Sequence, residues 1–164
     1  MVISKRNPLA SEFTDTREFN TLTDRPVPES GRLAGIDFGT VRIGIAICDA
    51  QRILASPHDN YTRQSELEDA EYFRKLATDE SLVGFVIGLP LHTDGNESQK
   101  SGETRDFATW LLEVTGLPYV FEDERFSTKS AHELMIGGNI KASKRKKRLD
   151  AVAAQVILSN YIET

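Results

Sequence analysis

The chain has little with which to staple or anchor itself. A single cysteine, Cys48, stands among 164 residues, so no internal disulfide can form and a reducing compartment suits the chain. Cys48 falls in a predicted buried strand, where a thiol serves as a small hydrophobe. No apolar run approaches the roughly 18 residues that a membrane-spanning helix requires. The first residues, MVISKRNPLASEF, hold no continuous apolar core, which argues against a secretory signal. Cations are also in the minority: 20 Lys and Arg against 25 Asp and Glu leave a formal net charge of −5. At face value that balance argues against nucleic acid, but the average conceals a cluster. Between Lys141 and Arg148 (KASKRKKR) six cations occur with no acid among them.

With 39% hydrophobic and 27% charged residues, the composition fits one soluble domain with a real core. Residues 1–31 lack an apolar period and end in Arg25-Pro-Val-Pro-Glu-Ser-Gly31, so they are expected to form a disordered or loosely packed extension. Residues 32–164 are expected to form the domain itself.

The organising stretch is Leu33 to Asp49, LAGIDFGTVRIGIAICD. It reads as two strands joined by Gly39 and Thr40 in a two-residue hairpin turn. That register sets Asp37 opposite Arg42, Ile36 opposite Ile43 and Gly35 opposite Gly44. Alternation then puts Ala34, Ile36, Phe38, Val41, Ile43, Ile45 and Ile47 on one face. The other face carries Leu33, Gly35, Asp37, Arg42, Gly44, Ala46 and Cys48, an acid among residues small enough to admit a close neighbour. Taken alone, Asp37 and Arg42 make an ordinary cross-strand ion pair.

Arg52 to Pro57 reads as a third strand, completing an antiparallel meander. A helix over Ser65 to Thr78 follows, with Leu67, Ala70, Phe73, Leu76 and Ala77 on one face and Asp69 on the solvent side. Leu82 to Leu89 (LVGFVIGL) is the continuous apolar run of a strand buried on both faces. A loop with a turn at Asp94-Gly95 leads to a helix over Ser98 to Thr115, with Phe107, Trp110, Leu111 and Val114 inward. Leu117 to Phe121 is a fifth strand, Ala131 to Met135 a short helix stopped at Gly137-Gly138, and Arg148 to Tyr161 a last helix. Three antiparallel strands followed by two reached through helical crossovers give an α/β fold, a five-stranded mixed sheet flanked by helices. That order is the one found in the ribonuclease H-like fold.

Acids fall at three informative places: Asp37 on the first strand, Glu124 with Asp123 just past the fifth, and Asp150 at the start of the last helix. Asp150 shares a helix face with Ala154 and Ile157, so it borders the buried stripe. Convergence of Asp37, Glu124 (or Asp123) and Asp150 would need a cation, and oxygen-only ligation suits Mg²⁺ or Mn²⁺. Such a site can hydrolyse phosphodiesters. Singly, Asp150 is an ordinary first-turn acid favoured by the helix dipole and Glu124 an ordinary loop acid. The basic run, above all Lys144, Arg145, Lys146, Lys147 and Arg148, then suits a phosphate backbone, with Arg42, Arg125 and Lys129 beside it. Alone, such a run is a solvated segment. His92 has no visible partner and is expected to be a solvated loop residue.

Four ordered motifs resemble the YqgF/RuvX family. They are Gly35-Ile-Asp-Phe-Gly-Thr-Val-Arg-Ile-Gly-Ile-Ala46, Gly88-Leu-Pro-Leu91 with Asp94-Gly95, Asp123-Glu-Arg-Phe-Ser-Thr128, and Lys146-Lys-Arg-Leu-Asp150-Ala-Val-Ala-Ala154. The resemblance spans about Arg32 to Ile162. It implies a ribonuclease H-like fold, a cytoplasmic location and a nuclease maturing the 5′ end of precursor 16S ribosomal RNA, with Holliday junction resolution as the older alternative. It places Asp37, Glu124 and Asp150 on the family's acidic positions. Precursor ribosomal RNA is the favoured partner and branched DNA the second; a monomer would suit the first and a two-fold homodimer the second. Two other functions compete. Asp37-Phe-Gly-Thr40 also resembles the phosphate loop of actin-like ATPases, and a non-catalytic nucleic-acid-binding module would share the fold.

Overall fold

The chain from Arg32 onward alternates extended and helical segments as its apolar periods dictate. The computed structural model describes residues 26–92, 97–124 and 142–163. Its strands are β1 (Arg32–Asp37), β2 (Arg42–Cys48), β3 (Ala55–Thr62), β4 (Leu82–Leu89) and β5 (Tyr119–Asp123). Its helices are α1 (Glu66–Asp79), α2 (Gln99–Thr115) and α3 (Ala142–Ile162). The sheet order is β3-β2-β1-β4-β5. The β1–β2 and β2–β3 pairs are antiparallel, whereas β1–β4 and β4–β5 are parallel. This is the expected ribonuclease H-like arrangement.

Side-chain alternation divides the core into two layers. On one face Ala34, Ile36, Ile43, Ile45, Phe85 and Ile87 pack with Phe73 of α1 and Phe107, Ala108 and Leu111 of α2. On the other, Leu33, Ala46, Cys48 and Val86 meet Ala154, Ile157 and Leu158 of α3. The two earlier helices start where serines cap them. Ser65 accepts a hydrogen bond from the Glu68 amide, and Ser98 exchanges bonds with Ser101 in a capping box.

The hairpin register differs from the expected one by two residues: Asp37 pairs with Gly44, Ile36 with Ile45 and Gly35 with Ala46. The strands stop at Asp37 and resume at Arg42, so Phe38–Val41 all belong to the connection rather than Gly39 and Thr40 alone. A shift of two preserves which face each side chain takes. The assigned faces therefore stand, except that Val41 leaves the strand and is 62% exposed.

Other boundaries also move. The third strand begins at Ala55, not Arg52, and runs to Thr62; the fifth is displaced to Tyr119–Asp123. Leu67 lies on the solvent side of α1, whereas Asp69 is buried. There Asp69 accepts from the Tyr61 hydroxyl, the Arg63 guanidinium and the Gln64 amide. The largest change is in α3, which begins at Ala142 rather than Arg148. The basic run is therefore part of a helix. Its sheet-facing stripe is Ala151, Ala154, Ile157 and Leu158, while Val152 and Val156 form a separate small cluster with Leu149 and Ala153.

Residues 26–31, the described end of the N-terminal segment, run against the β2–β3 connection. Arg52 donates to the Gly31 carbonyl and the Gly31 amide to the Ala50 carbonyl, while Val27 packs at the edge of the α3-side core. The expected short helix over Ala131 to Met135 lies outside the described residues. No helix among those described is long and apolar enough to cross a membrane.

Candidate active site

Close backbone approach builds the site. At three positions beneath α3, one each on β1, β2 and β4, the residue is a glycine where any side chain would crowd the helix. A Cβ on Gly44 would stand 1.9 Å from the Asp150 carbonyl oxygen, and one on Gly35 would stand 2.7 Å from the Ala154 carbonyl oxygen and from Leu158 Cβ. With those side chains missing, α3 lies directly on β1 and β2. Asp150 is thereby fixed above the β2 residue that pairs with Asp37.

A third glycine seats the third acid. Gly88 follows Ile87, which pairs with Ile36 in the parallel ladder, so it lies alongside Asp37. A Cβ on Gly88 would be 2.5 Å from Glu124 Oε2 and 2.4 Å from Ile157 Cδ1. The Glu124 amide donates to the Leu89 carbonyl at 3.3 Å, extending the ladder one residue beyond β5. Glu124 thus turns its carboxylate onto the face that carries Asp37. By alternation along β5, the exposed Asp123 projects to the opposite face. The two neighbouring acids are separated by the pleat.

Electrostatics reflect this gathering. Burial pushes the half-buried Asp37 carboxyl up to about 6; Lys100 pulls it down and Asp150 pushes it further up. Glu124 is pushed up to about 7, again first by burial, then by Asp37, with Lys100 opposing and Asp123 adding. Asp37 therefore feels both of the other acids, and a single lysine acts on Asp37 and Glu124 together.

Asp150 is otherwise engaged. Its Oδ2 accepts from Arg42 Nε at 3.2 Å, with side-chain exposures of 45% for Arg42 and 27% for Asp150. Contacts this open contribute about 0.2–1 kcal/mol. The expected Asp37–Arg42 cross-strand pair is replaced by this one, because the register sets Gly44 opposite Asp37. Nor is Asp150 a first-turn acid: starting from Ala142, it lies more than two turns inside the helix. Its position is set by packing rather than by the helix dipole.

Beside Asp150 opens a cleft of about 530 Å³ whose lining includes Thr40, Arg42, Lys100, Glu103 and Asp150 itself. Lys100 escapes sequence reasoning because it belongs to no motif; only its place next to the Ser98 cap brings it to the cleft. The acid-seating role of Gly88 is equally unmarked, although its motif is visible. His92 is exposed, as expected. Arg125 and Lys129 lie outside the described residues. Lys144, Arg145, Lys146, Lys147 and Arg148 are placed only as backbone of α3.

Among the described residues, no three His, Cys, Asp or Glu side chains stand together at metal-ligand spacing. The donor set nevertheless suits a hard divalent ion. Its members are carboxylate oxygens, and Asp37 and Glu124 are held in burial against their mutual repulsion, which a cation would relieve.

Comparison with known proteins agrees with the fold and the motifs. Residues 31–164 match the RuvX family model, described as Holliday junction resolvase. A Rhodopirellula baltica protein provisionally named a pre-16S rRNA nuclease is 49% identical over 143 residues, covering 87% of this chain and 83% of that one. A Sphingopyxis alaskensis protein with the same provisional name is 40% identical over 137 residues, covering 84% and 90%. Among solved structures, the fowlpox virus resolvase in complex with substrate Holliday junction DNA superposes with a TM-score of 0.52 at 12% identity, covering 80% of this chain and 97% of that one. That likeness concerns the fold.

Proposed function

The chain belongs to the RuvX family, and from that premise we propose that it is a metal-dependent nuclease whose substrate is precursor 16S ribosomal RNA. The activity is assigned to residues 32–164, with Asp37, Glu124 and Asp150 as the metal-holding acids. Glu124 is preferred to Asp123 because it shares a face with Asp37 and Gly88. The observation that carries this reading is the seating of Asp37 and Glu124 side by side, under a helix that brings Asp150 to the same end of the sheet.

Mg²⁺ or Mn²⁺ bound there would supply Lewis-acid polarisation of the phosphate and a nucleophilic water at neutral pH. The chain's own groups do the rest. Asp37 and Glu124 present carboxylates from a rigid sheet, so they spend little on reorganisation. Arg42 and Lys100 line the open cleft and attract a phosphate backbone that the net charge of −5 would otherwise repel. The basic first turns of α3 extend that attraction away from the acids.

The family description favours a second substrate, the four-way DNA junction, which would call for a two-fold dimer. An actin-like reading is disfavoured, since it needs two domains facing a cleft and the described residues form one sheet. The test compares cleavage of an RNA spanning the precursor 5′ junction with cleavage of a four-way DNA junction, with and without Mn²⁺. Wild-type protein should cut the RNA only with the metal, and Asp37→Asn and Asp150→Asn should abolish the cut. Unchanged cleavage by both variants would defeat the proposal.

A further inference from the structure

Asp150 already faces a cation, the guanidinium of Arg42. The backbone of Asp150 is pinned against Gly44, so its carboxylate can only swing about its own side-chain bonds. One direction meets Arg42 at the head of β2; the other meets the Asp37 side of the sheet, whose charge already registers that of Asp150. The described side chains take the first direction, and no three-acid group of metal-ligand spacing results. Arg42 is also a wall of the open cleft that Lys100 and Thr40 share. The same guanidinium therefore faces the third acid and the space where a nucleic-acid phosphate would lie.

The geometry points to Arg42 as a positioning residue that exchanges partners: it holds Asp150 in the free protein and passes to a phosphate of the nucleic acid, leaving Asp150 to complete the metal site. This rests on the nuclease reading above. The Arg42–Asp150 contact is open to solvent, Arg42 being exposed and Asp150 partly so, and is thus weak. A phosphate, which a guanidinium binds in two-pronged fashion, is a fitting competitor. The consequence is linkage. Nucleic acid should tighten metal binding, and metal should tighten nucleic-acid binding by the same factor. The device would keep an unoccupied enzyme from assembling a cutting centre without its substrate.

The readout is free Mn²⁺ measured by electron paramagnetic resonance during titration of the full chain. The probe is a phosphorothioate-linked RNA of the precursor junction, which resists cleavage, and RNA-only titrations are subtracted. In the wild type the RNA should raise Mn²⁺ affinity about 5-fold or more, the usual lower range of such coupling. Arg42→Gln should bind Mn²⁺ more tightly than wild type without RNA and gain nothing further when RNA is added. Lys75→Gln removes a surface charge that pairs with Asp79 on α1, away from the cleft, so it should keep the RNA-induced gain. An Arg42→Gln protein whose Mn²⁺ affinity still rises with RNA as in the wild type would overturn the exchange, and so would one that binds Mn²⁺ more weakly alone. Asp37→Asn separates the two levels: if it binds Mn²⁺ like the wild type, the metal site itself is wrong.

Discussion

The carbonyl oxygen of Asp150 rests on Gly44, in a gap that would put an added Cβ 1.9 Å away. The obstacle is backbone on both sides, so neither partner can swing aside. Gly44→Ala should force α3 off the sheet and lower stability by about 1–3 kcal/mol, the range for overpacking, with cleavage falling further than the loss of folded protein accounts for. Gly102 is the counter-example. It is exposed inside α2 with nothing near its Cβ position, so Gly102→Ala should raise stability by about 0.5–1 kcal/mol through backbone entropy alone. Urea unfolding of the two variants checks the opposite signs.

Gly88→Ala tests the seat of Glu124 rather than the seat of the helix. The added methyl would strike Glu124 Oε2 and Ile157 Cδ1, both of them movable side-chain ends. Stability should therefore fall less than in Gly44→Ala. Mn²⁺ affinity should fall clearly, because the carboxylate is the atom group displaced. Calorimetric titration with Mn²⁺ alongside urea unfolding distinguishes the variants; equal losses on both scales would remove Gly88 from the site.

The raised pKa values of Asp37 and Glu124 fix the sign of a pH dependence. Both carboxyls hold their proton more tightly in the folded chain, at about 6 and about 7, than their ordinary values of 3.8 and 4.5 allow. From about pH 4 upward the unfolded chain sheds protons that the folded chain keeps, so stability falls as pH rises and the loss is complete above 7. The metal-free protein should be more stable at pH 5 than at pH 8. Asp37→Asn should flatten that slope and stabilise the chain at pH 8. Urea midpoints of the two proteins across this window test it; a wild-type slope in the variant would count against the buried acid.

What the sequence made legible follows from what each element relies on. The run LVGFVIGL specifies β4 to the residue because burial on both faces demands continuous apolar side chains. The helices α1 and α2 announce themselves through serine caps and a 3.6-residue period. The edge strand β3 carries the polar sequence ASPHDNYT, and its pairing comes from the β2 backbone, so no pattern betrays it. Ile53 and Leu54 attract the strand assignment yet stand 79% and 66% exposed, held in a turn by Asp49, whose carboxylate accepts from their amides. The first turns of α3 hold no large apolar residue before Leu149, leaving no period to follow. The acids Asp37 and Asp150 are legible from face and spacing. The choice between Glu124 and Asp123 needs the pleat, and Lys100 and Gly88 need the packing.

The helical start of α3 changes how its basic run is best tested. Ser143 to Arg148 occupy the N-terminal turns, where cations oppose the helix dipole and an anion is welcome. Replacement by serine would weaken the helix as well as remove charge, whereas glutamine preserves helix propensity. Changing Lys144, Arg145, Lys146, Lys147 and Arg148 together to Gln should therefore leave the fold and thermal midpoint nearly intact. RNA affinity should drop, and the plot of log affinity against log salt should flatten by about 0.7 for each single-strand phosphate contact removed. Fluorescence anisotropy over a salt series measures this directly. A weaker affinity with an unaltered slope would mean that these five cations face solvent and act on RNA only through the fold.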